Sequence, residues 1–374
     1  MDRQKIRQLV DAIAAAAEPL ERVQLMEVCG THTVSLMRSG VKSLLPETVR
    51  LISGPGCPVC VTSSAYLDAA CELAGRGDVT ICTYGDMVRV PGRSASLEQL
   101  RGQGAQVTVV YSARDAVRFA RDEPGRNVVF LAVGFETTTP GTAAAVREAD
   151  ADGLENFFIL PGHKLVIPAI EALLAAGDVP IDGFLCPGHV SVILGSAAYR
   201  PIAEGRGKPC VVAGFEPVNM LEAVAALVGQ VAAGVSRVEN VYGVAVREEG
   251  NPVALRLIDE VFEPAPAVWR AMGTIDGSGL ELREKYARFD GFARFALTLG
   301  EDYEPAGCRC GEVIQGKVEP TACPLFGKVC TPLAPVGPCM VSSEGTCAAW
   351  YKYNPARGAH RGESPDGGGA ANEG

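Results

Sequence analysis

The chain carries apolar residues in two successive rhythms. Residues 4 to 26 place Ile6, Leu9, Val10 and Ile13, then Leu20, Val23 and Leu25, at helical spacing, which predicts one or two amphipathic helices. From about residue 48, short β-branched runs end in Gly- or Pro-rich turns and lead into Ala-rich helical stretches. VRLISG precedes SSAYLDAACELAG, DVTICTYG follows, QVTVVY precedes ARDAVRFARD, and NVVFLAVGF precedes GTAAAVREA. The rhythm then repeats, with NFFIL before KLVIPAIEALLAAG, DGFLC before VSVILGSAAY, and PCVVAGF before VNMLEAVAALVGQVAAG. Strands that are apolar throughout and alternate with helices predict parallel sheet covered on both faces.

Two such sets meet near residues 150 to 155, where the acidic, apolar-poor segment EADADGLEN reads as a linker. The predicted plan is an α/β protein of two similar parallel-sheet domains and a small cysteine-rich module. An N-terminal helical segment covers 1–47, the first α/β domain 48–152 and the second 153–277. The module covers 278–353, and 354–374 is a tail without periodicity that reads as disordered. Residues 252 to 275 read as a further helix interrupted by prolines.

Composition narrows the class. Of 374 residues, 47% are hydrophobic and 21% charged, as in ordinary globular proteins. The formal charge is 34 − 44 = −10, with no basic run, so a nucleic-acid partner is disfavoured. No apolar run reaches the length of a membrane span, and the charged N-terminus lacks the core of a secretory signal. The expectation is a cytoplasmic protein, in which thirteen cysteines serve metal or redox chemistry rather than structural bridges.

Six of those cysteines, Cys308, Cys310, Cys323, Cys330, Cys339 and Cys347, fall within forty Gly- and Pro-rich residues. Such a segment buries too little apolar surface to offset its chain entropy and needs a cross-link. Structural zinc favours two tight C-x2-4-C pairs, whereas only Cys308 and Cys310 are close here, and a single residue separates them. The long, uneven gaps suit an iron–sulfur cluster gripped from several loops.

Other chemistry sits where strands end, the usual ligand edge of an open parallel sheet. CGTHT places Cys29 and His32 on one turn, where an imidazole would lower the pKa of the thiol. A buried turn cysteine beside a capping Thr is the plainer alternative. In GPGCPVC, Cys57 and Cys60 form a C-x-x-C pair with no second half of a zinc site nearby, which favours a redox dithiol. GFETTTP puts Glu136 at a strand exit before three hydroxyls, an arrangement that alone would serve only as a cap. LPGHK and CPGHVS put His163 and His189 at strand ends, so three of the four histidines point to a shared cleft.

CGTHT, GPGCPVC, GFETTTP and PGHVS, followed by Cys-x14-Cys-x6-Cys-x16-Cys, resemble the HypD family of [NiFe]-hydrogenase maturation proteins, over the whole chain except its polar tail. The resemblance implies a scaffold that shares the iron of the Fe(CN)2CO group with a small HypC-type chaperone. It further implies that HypE delivers the cyanide, carried as a thiocyanate. Cys29 would be the iron thiolate, in the cleft between the two α/β domains, and Cys57 and Cys60 the redox-active dithiol. Cys308, Cys323, Cys330 and Cys347 would hold a [4Fe–4S] cluster, as in ferredoxin–thioredoxin reductase. His32 would orient Cys29 or relay a proton, and Glu136 would be a polar partner in the cleft. Cys310 falls outside the four-ligand pattern as a spare or supporting thiol, or a competing ligand, and Cys339 as a spare. An iron–sulfur thiol–disulfide reductase that assembles no iron is the rival reading, and a platform with purely structural metals a third.

Overall fold

The structure is a computed structural model that describes residues 3–354. The expected tail therefore lies, but for Asn354, outside the described residues. Its strands are β1 (Val23–Glu27), β2 (Val49–Ser53), β3 (Val79–Thr83), β4 (Gln106–Val109), β5 (Asn127–Gly134) and β6 (Phe157–His163). There follow β7 (Gly183–Pro187), β8 (Cys210–Ala213), β9 (Val238–Asn240), β10 (Phe262–Trp269) and β11 (Gly273–Leu282).

Two parallel sheets form, as the alternation of apolar runs and helices predicts. One has the order β4-β3-β5-β6 and the other β2-β1-β7-β8-β9. Their central strands are buried on both faces, which is why the runs show no polar alternation.

The sheets do not divide the chain into the expected contiguous halves. The first strand lies inside the segment read as helical: Arg3–Ala17 is a helix, but Val23–Glu27 is a strand pairing with both β2 and β7. Strand β6, beyond the expected linker, joins the earlier sheet beside β5. The predicted linker itself continues the helix Thr139–Ala151 before a short turn. Apolar run length cannot tell one turn of buried helix from a buried strand, and pairing partners decide.

The segment 252–275 also departs from expectation. Helix Pro252–Val261 ends at Phe262, and β10 and β11 then form an antiparallel hairpin with an irregularity between Ala265 and Ala267. Pro264 and Pro266 lack the N–H groups a helix interior needs, and a bulged strand tolerates them.

Three packed layers hold the assembly. Helix Arg3–Ala17 and helix Pro217–Ala232 cover one face of the five-stranded sheet around Leu25, Leu185 and Val224. Helices Ala113–Asp122 and Thr139–Ala151 cover one face of the four-stranded sheet around Phe130 and Phe157. The largest core runs between the sheets and into the cysteine-rich module, joining Met26, Phe184, Leu131, Ile314 and Met340. Among the described residues, no helix is long and apolar enough to cross a membrane. Leu25 is fully buried in a central strand, so Leu25→Ala is predicted to cost about 2–5 kcal/mol in urea unfolding. A loss under about 1 kcal/mol would contradict its central position.

Candidate active cleft

The carboxyl ends of β1, β3, β5 and β7 converge on a cleft of about 420 Å³. Its walls include Cys29, Pro58, Asp86, Thr138, His189 and Glu344. These residues come from both sheets and from the cysteine-rich module.

Cys29 leaves β1 in extended conformation and occupies the N-cap position of helix Gly30–Ser39. The GPGCPVC loop after β2 lies directly against this turn. Gly30 N–H donates to Gly56 O at 3.1 Å, and Gly54 N–H donates to Glu27 O at 2.7 Å. A Cβ on Gly56 would overlap the backbone nitrogen of Cys29, so only glycine permits the approach.

Glu27, one strand residue before the motif, is buried and holds the same turn. Its carboxylate accepts from Cys29 N–H at 3.2 Å and from the Thr33 hydroxyl. Burial pushes its carboxyl up to about 8, against the lowering effect of the Thr33 and Ser53 hydrogen bonds. The sequence signal is an acidic residue closing the otherwise uncharged run VQLME.

The Cys29 thiol is buried, and burial pushes it up to about 12, with the nearby Glu344 and Glu27 carboxylates adding to the rise. The backbone N–H groups of His32 and Thr31 act the other way. The expected imidazole effect is absent. His32 Nε2 lies 3.0 Å from Gly214 O, its ring packs on Phe215, and burial lowers it to about 4, so it is neutral. His32 faces the sheet interior because a side chain three residues after the cap has turned to the inner side of the helix. It influences the thiol through its backbone alone.

Cys57 caps the one-turn helix Pro58–Val61 and forms a disulfide with Cys60, with their Cα atoms 5.2 Å apart. Cys60 N–H also points to Cys57 Sγ at 3.2 Å. Both sulfurs are buried, and Pro58 and Val59 present the helix to the cleft.

Glu136 lies beneath the cleft rather than in its wall. Its Oε1 accepts from Val166 N–H at 2.9 Å, its buried Oε2 has no partner among the described residues, and burial raises the carboxyl to about 7. Its neighbours Phe135, Thr137 and Thr138 form the wall. Of the three strand-end histidines, His189 alone lines the cleft, stacked on Phe215 at 4.0 Å. His163 is buried elsewhere, with Nε2 2.9 Å from Thr142 Oγ1.

The module closes the cleft with Ser342, Ser343 and Glu344, residues that the sequence reading did not single out. Thr31 Oγ1 donates to Glu344 Oε1 at 2.6 Å, and Ser343 N–H donates to Asp86 Oδ2 at 2.8 Å. A Cβ on Gly30 would come within 2.5 Å of Glu344 O. Behind this loop a run of thiols links Cys308 to Cys310, Cys310 to Cys339, and Cys339 to Cys347. Cys330 lies close enough for its charge to act on Cys347. Cys323 stands apart, with its Sγ 3.8 Å from Gly307 O. Helices Cys310–Ile314 and Pro338–Val341 pack on the Pro58–Val61 helix. Cys310, read as a spare, supporting or competing thiol, and Cys339, read as a spare, are buried on these two helices. Among the described residues, no three His, Cys, Asp or Glu side chains stand in ready-made ion-binding geometry.

Comparison with known proteins gives the family. The HypD model, described as the hydrogenase formation hypA family, matches residues 4–354. The chain belongs to the HypD family. The hydrogenase expression/formation protein HupD of Azotobacter chroococcum mcd 1 is 46% identical over 360 residues, covering 94% of this chain and 95% of that protein. HypD2 of Bradyrhizobium diazoefficiens is 47% identical over 354 residues, covering 92% and 93%. HypD of Escherichia coli K12 is 44% identical over 356 residues, covering 94% and 95%. As a HypD-family member the chain is a hydrogenase maturation factor, and it works with other maturation proteins.

Two predictions follow from the geometry of this HypD cleft. Gly56→Ala should lower the melting temperature and abolish maturation, whereas Gly102→Ala, where a Cβ meets nothing within 4 Å, should leave both unchanged. Equal behaviour of the two variants would refute the close approach. The second concerns Glu27, whose folded pKa is raised, so the folded state binds more protons than the unfolded between about pH 4.5 and 8. Its contribution to stability thus falls as pH rises through that window. Glu27→Gln should gain stability relative to wild type from pH 5 to 8 in denaturant titrations. A pH-independent difference would show that Glu27 is ionised throughout.

Proposed function

We propose that the protein is the scaffold on which the iron of a [NiFe]-hydrogenase takes up its cyanide and carbonyl ligands, with Cys29 as the iron thiolate. One observation carries the reading: Cys29, the Pro58–Val59 turn between Cys57 and Cys60, and the module's closing loop line a single cleft. A thiol held near 12 keeps its proton at neutral pH until a cation arrives, so iron capture displaces one proton from Cys29. The partly open cleft leaves the other iron positions to a small HypC-type chaperone and to the incoming ligands.

Cyanide arriving from HypE as a thiocyanate, R–S–C≡N, is released only on gaining two electrons, which gives R–S⁻ and CN⁻. Cys57 and Cys60 as thiols supply two electrons and release two protons as their disulfide closes. A [4Fe–4S] cluster on Cys308, Cys323, Cys330 and Cys347 would deliver single electrons to reopen that disulfide. Three features support the cluster: the donors are all soft thiols, Cys330 and Cys308 flank the Val336–Gly337 segment, and a Cβ on Gly337 would lie 2.8 Å from Cys308 Sγ. Cys310 and Cys339 supply the thiol path between these ligands and the Pro58–Val61 helix.

The decisive experiment is infrared spectroscopy of the anaerobically purified protein bound to its small chaperone. Cyanide and carbonyl bands are expected in wild type and absent in Cys29→Ala. That variant should also lose hydrogenase maturation while keeping its visible iron–sulfur absorption and, within about 1 kcal/mol, its stability. An active hydrogenase made with Cys29→Ala would overturn the proposal. Absence of bands in wild type, together with efficient disulfide reduction, would favour an iron–sulfur thiol reductase.

A further inference from the structure

A second cavity, of about 200 Å³, shares no lining residue with the cleft. Pro58 and Val59 face the cleft, while Thr62 and Ser63, just past the same short helix, face this cavity. Strand β6 and the β10–β11 hairpin supply its other walls.

Lys164 lines it and is only 7% exposed. Among the described residues its ammonium has neither a hydrogen bond nor an ion pair, and it lies 6.0 Å from the Trp269 ring centroid. The carboxylate whose field reaches it is Asp302, but Asp302 Oδ1 already accepts from Ser64 N–H and Ser64 Oγ, each at 2.6 Å. The other lining groups offer it no counter-charge. His163 is tied to Thr142, burial keeps its ring neutral, and Glu281 is exposed at the rim. Among the described residues, so buried a lysine has the Asp302 field but no direct ion pair, which is costly and leaves its ammonium to lose its proton or gain an anion.

The cavity is shaped for an anion with an apolar body. Ser63 Oγ accepts from Tyr66 N–H, which leaves its own hydroxyl proton to donate. Ala267, Val268, Leu280, Phe292 and Leu299 give the same cavity apolar lining. The volume exceeds what one or two waters need. One cation in the wall and Glu281 at the rim favour a single negative charge. We propose that this cavity binds a small monocarboxylate, its head on the Lys164 ammonium and the Ser63 hydroxyl and its short hydrocarbon body against Leu280, Phe292 and Leu299. Burial pushes the Lys164 ammonium down to about 8, and a bound carboxylate would raise it again. The site goes beyond the iron-assembly reading and does not depend on it.

The test uses the full chain with sodium butyrate, acetate or phosphate, each balanced with chloride to constant ionic strength. Amine acylation of Lys164 is followed by peptide mass spectrometry, with the exposed Lys285 as internal control. Butyrate should slow acylation of Lys164 at least tenfold with saturation and raise the melting temperature, acetate should act more weakly, and phosphate should do neither. Lys164→Met should abolish the butyrate-dependent thermal shift. Equal labelling with and without 50 mM butyrate, protection by phosphate as strong as by butyrate, or a shift retained in Lys164→Met would each overturn the proposal. Should Lys164→Met fail to fold, the labelling of the wild-type chain decides alone.

Discussion

Everything at the cleft depends on backbone touching backbone at Gly30 and Gly56. A side chain at either position would drive the C-x-x-C loop or the module away from Cys29. The contact is made by hydrogen-bonded main chain, Gly30 N–H to Gly56 O, with Glu27 bracing it from below. Three pieces of chain distant in sequence are thereby held around one thiol, chiefly by main chain, with the Glu27 and Glu344 side chains adding hydrogen bonds. Such a site is pre-organised, because few rotatable bonds must be frozen when a ligand arrives.

Burial sets the electrostatic character of the region more than neighbouring charges do. The Cys29 thiol, the Glu27 and Glu136 carboxyls and the His32 ring are all displaced towards their neutral forms, and in each case desolvation is the largest cause. The groups buried beneath the cleft therefore favour their neutral forms, and the acidic side chains in its wall are those of Asp86 and Glu344.

Much of the fold was legible in the sequence because continuous apolar strands followed by Ala-rich helices permit few arrangements. The sheet assignment was not, because β1 and β6 have the same composition whichever sheet they join. The hairpin at Phe262 was hidden by prolines that read as helix breaks. At the site, Cys29, Cys57 and Cys60 could be named from motifs, since reactive residues cluster at strand ends. Glu27, Glu344 and the positions of Cys310 and Cys339 could not, because their roles arise from three-dimensional packing of segments up to 317 residues apart (344 − 27). His32 shows the reverse error: sequence proximity to a thiol says nothing of which side of a helix the ring occupies.

The interleaved sheets also impose an order of events at the ribosome. Strands β1 and β2 emerge early, yet their sheet is completed by β7 and β8, so its centre cannot close until residue 213 has been made. The four-stranded sheet, contiguous from β3 to β6, can form in the meantime. At about 5–20 residues per second, the 160 residues between 53 and 213 take roughly 8 to 32 seconds. For that interval the newborn chain carries two apolar strands whose β1 edge still awaits β7, and the Cys29 and Cys57 thiols at their ends stand uncovered. The nascent protein is thus most exposed to oxidation and mispairing before its cysteine-rich module exists.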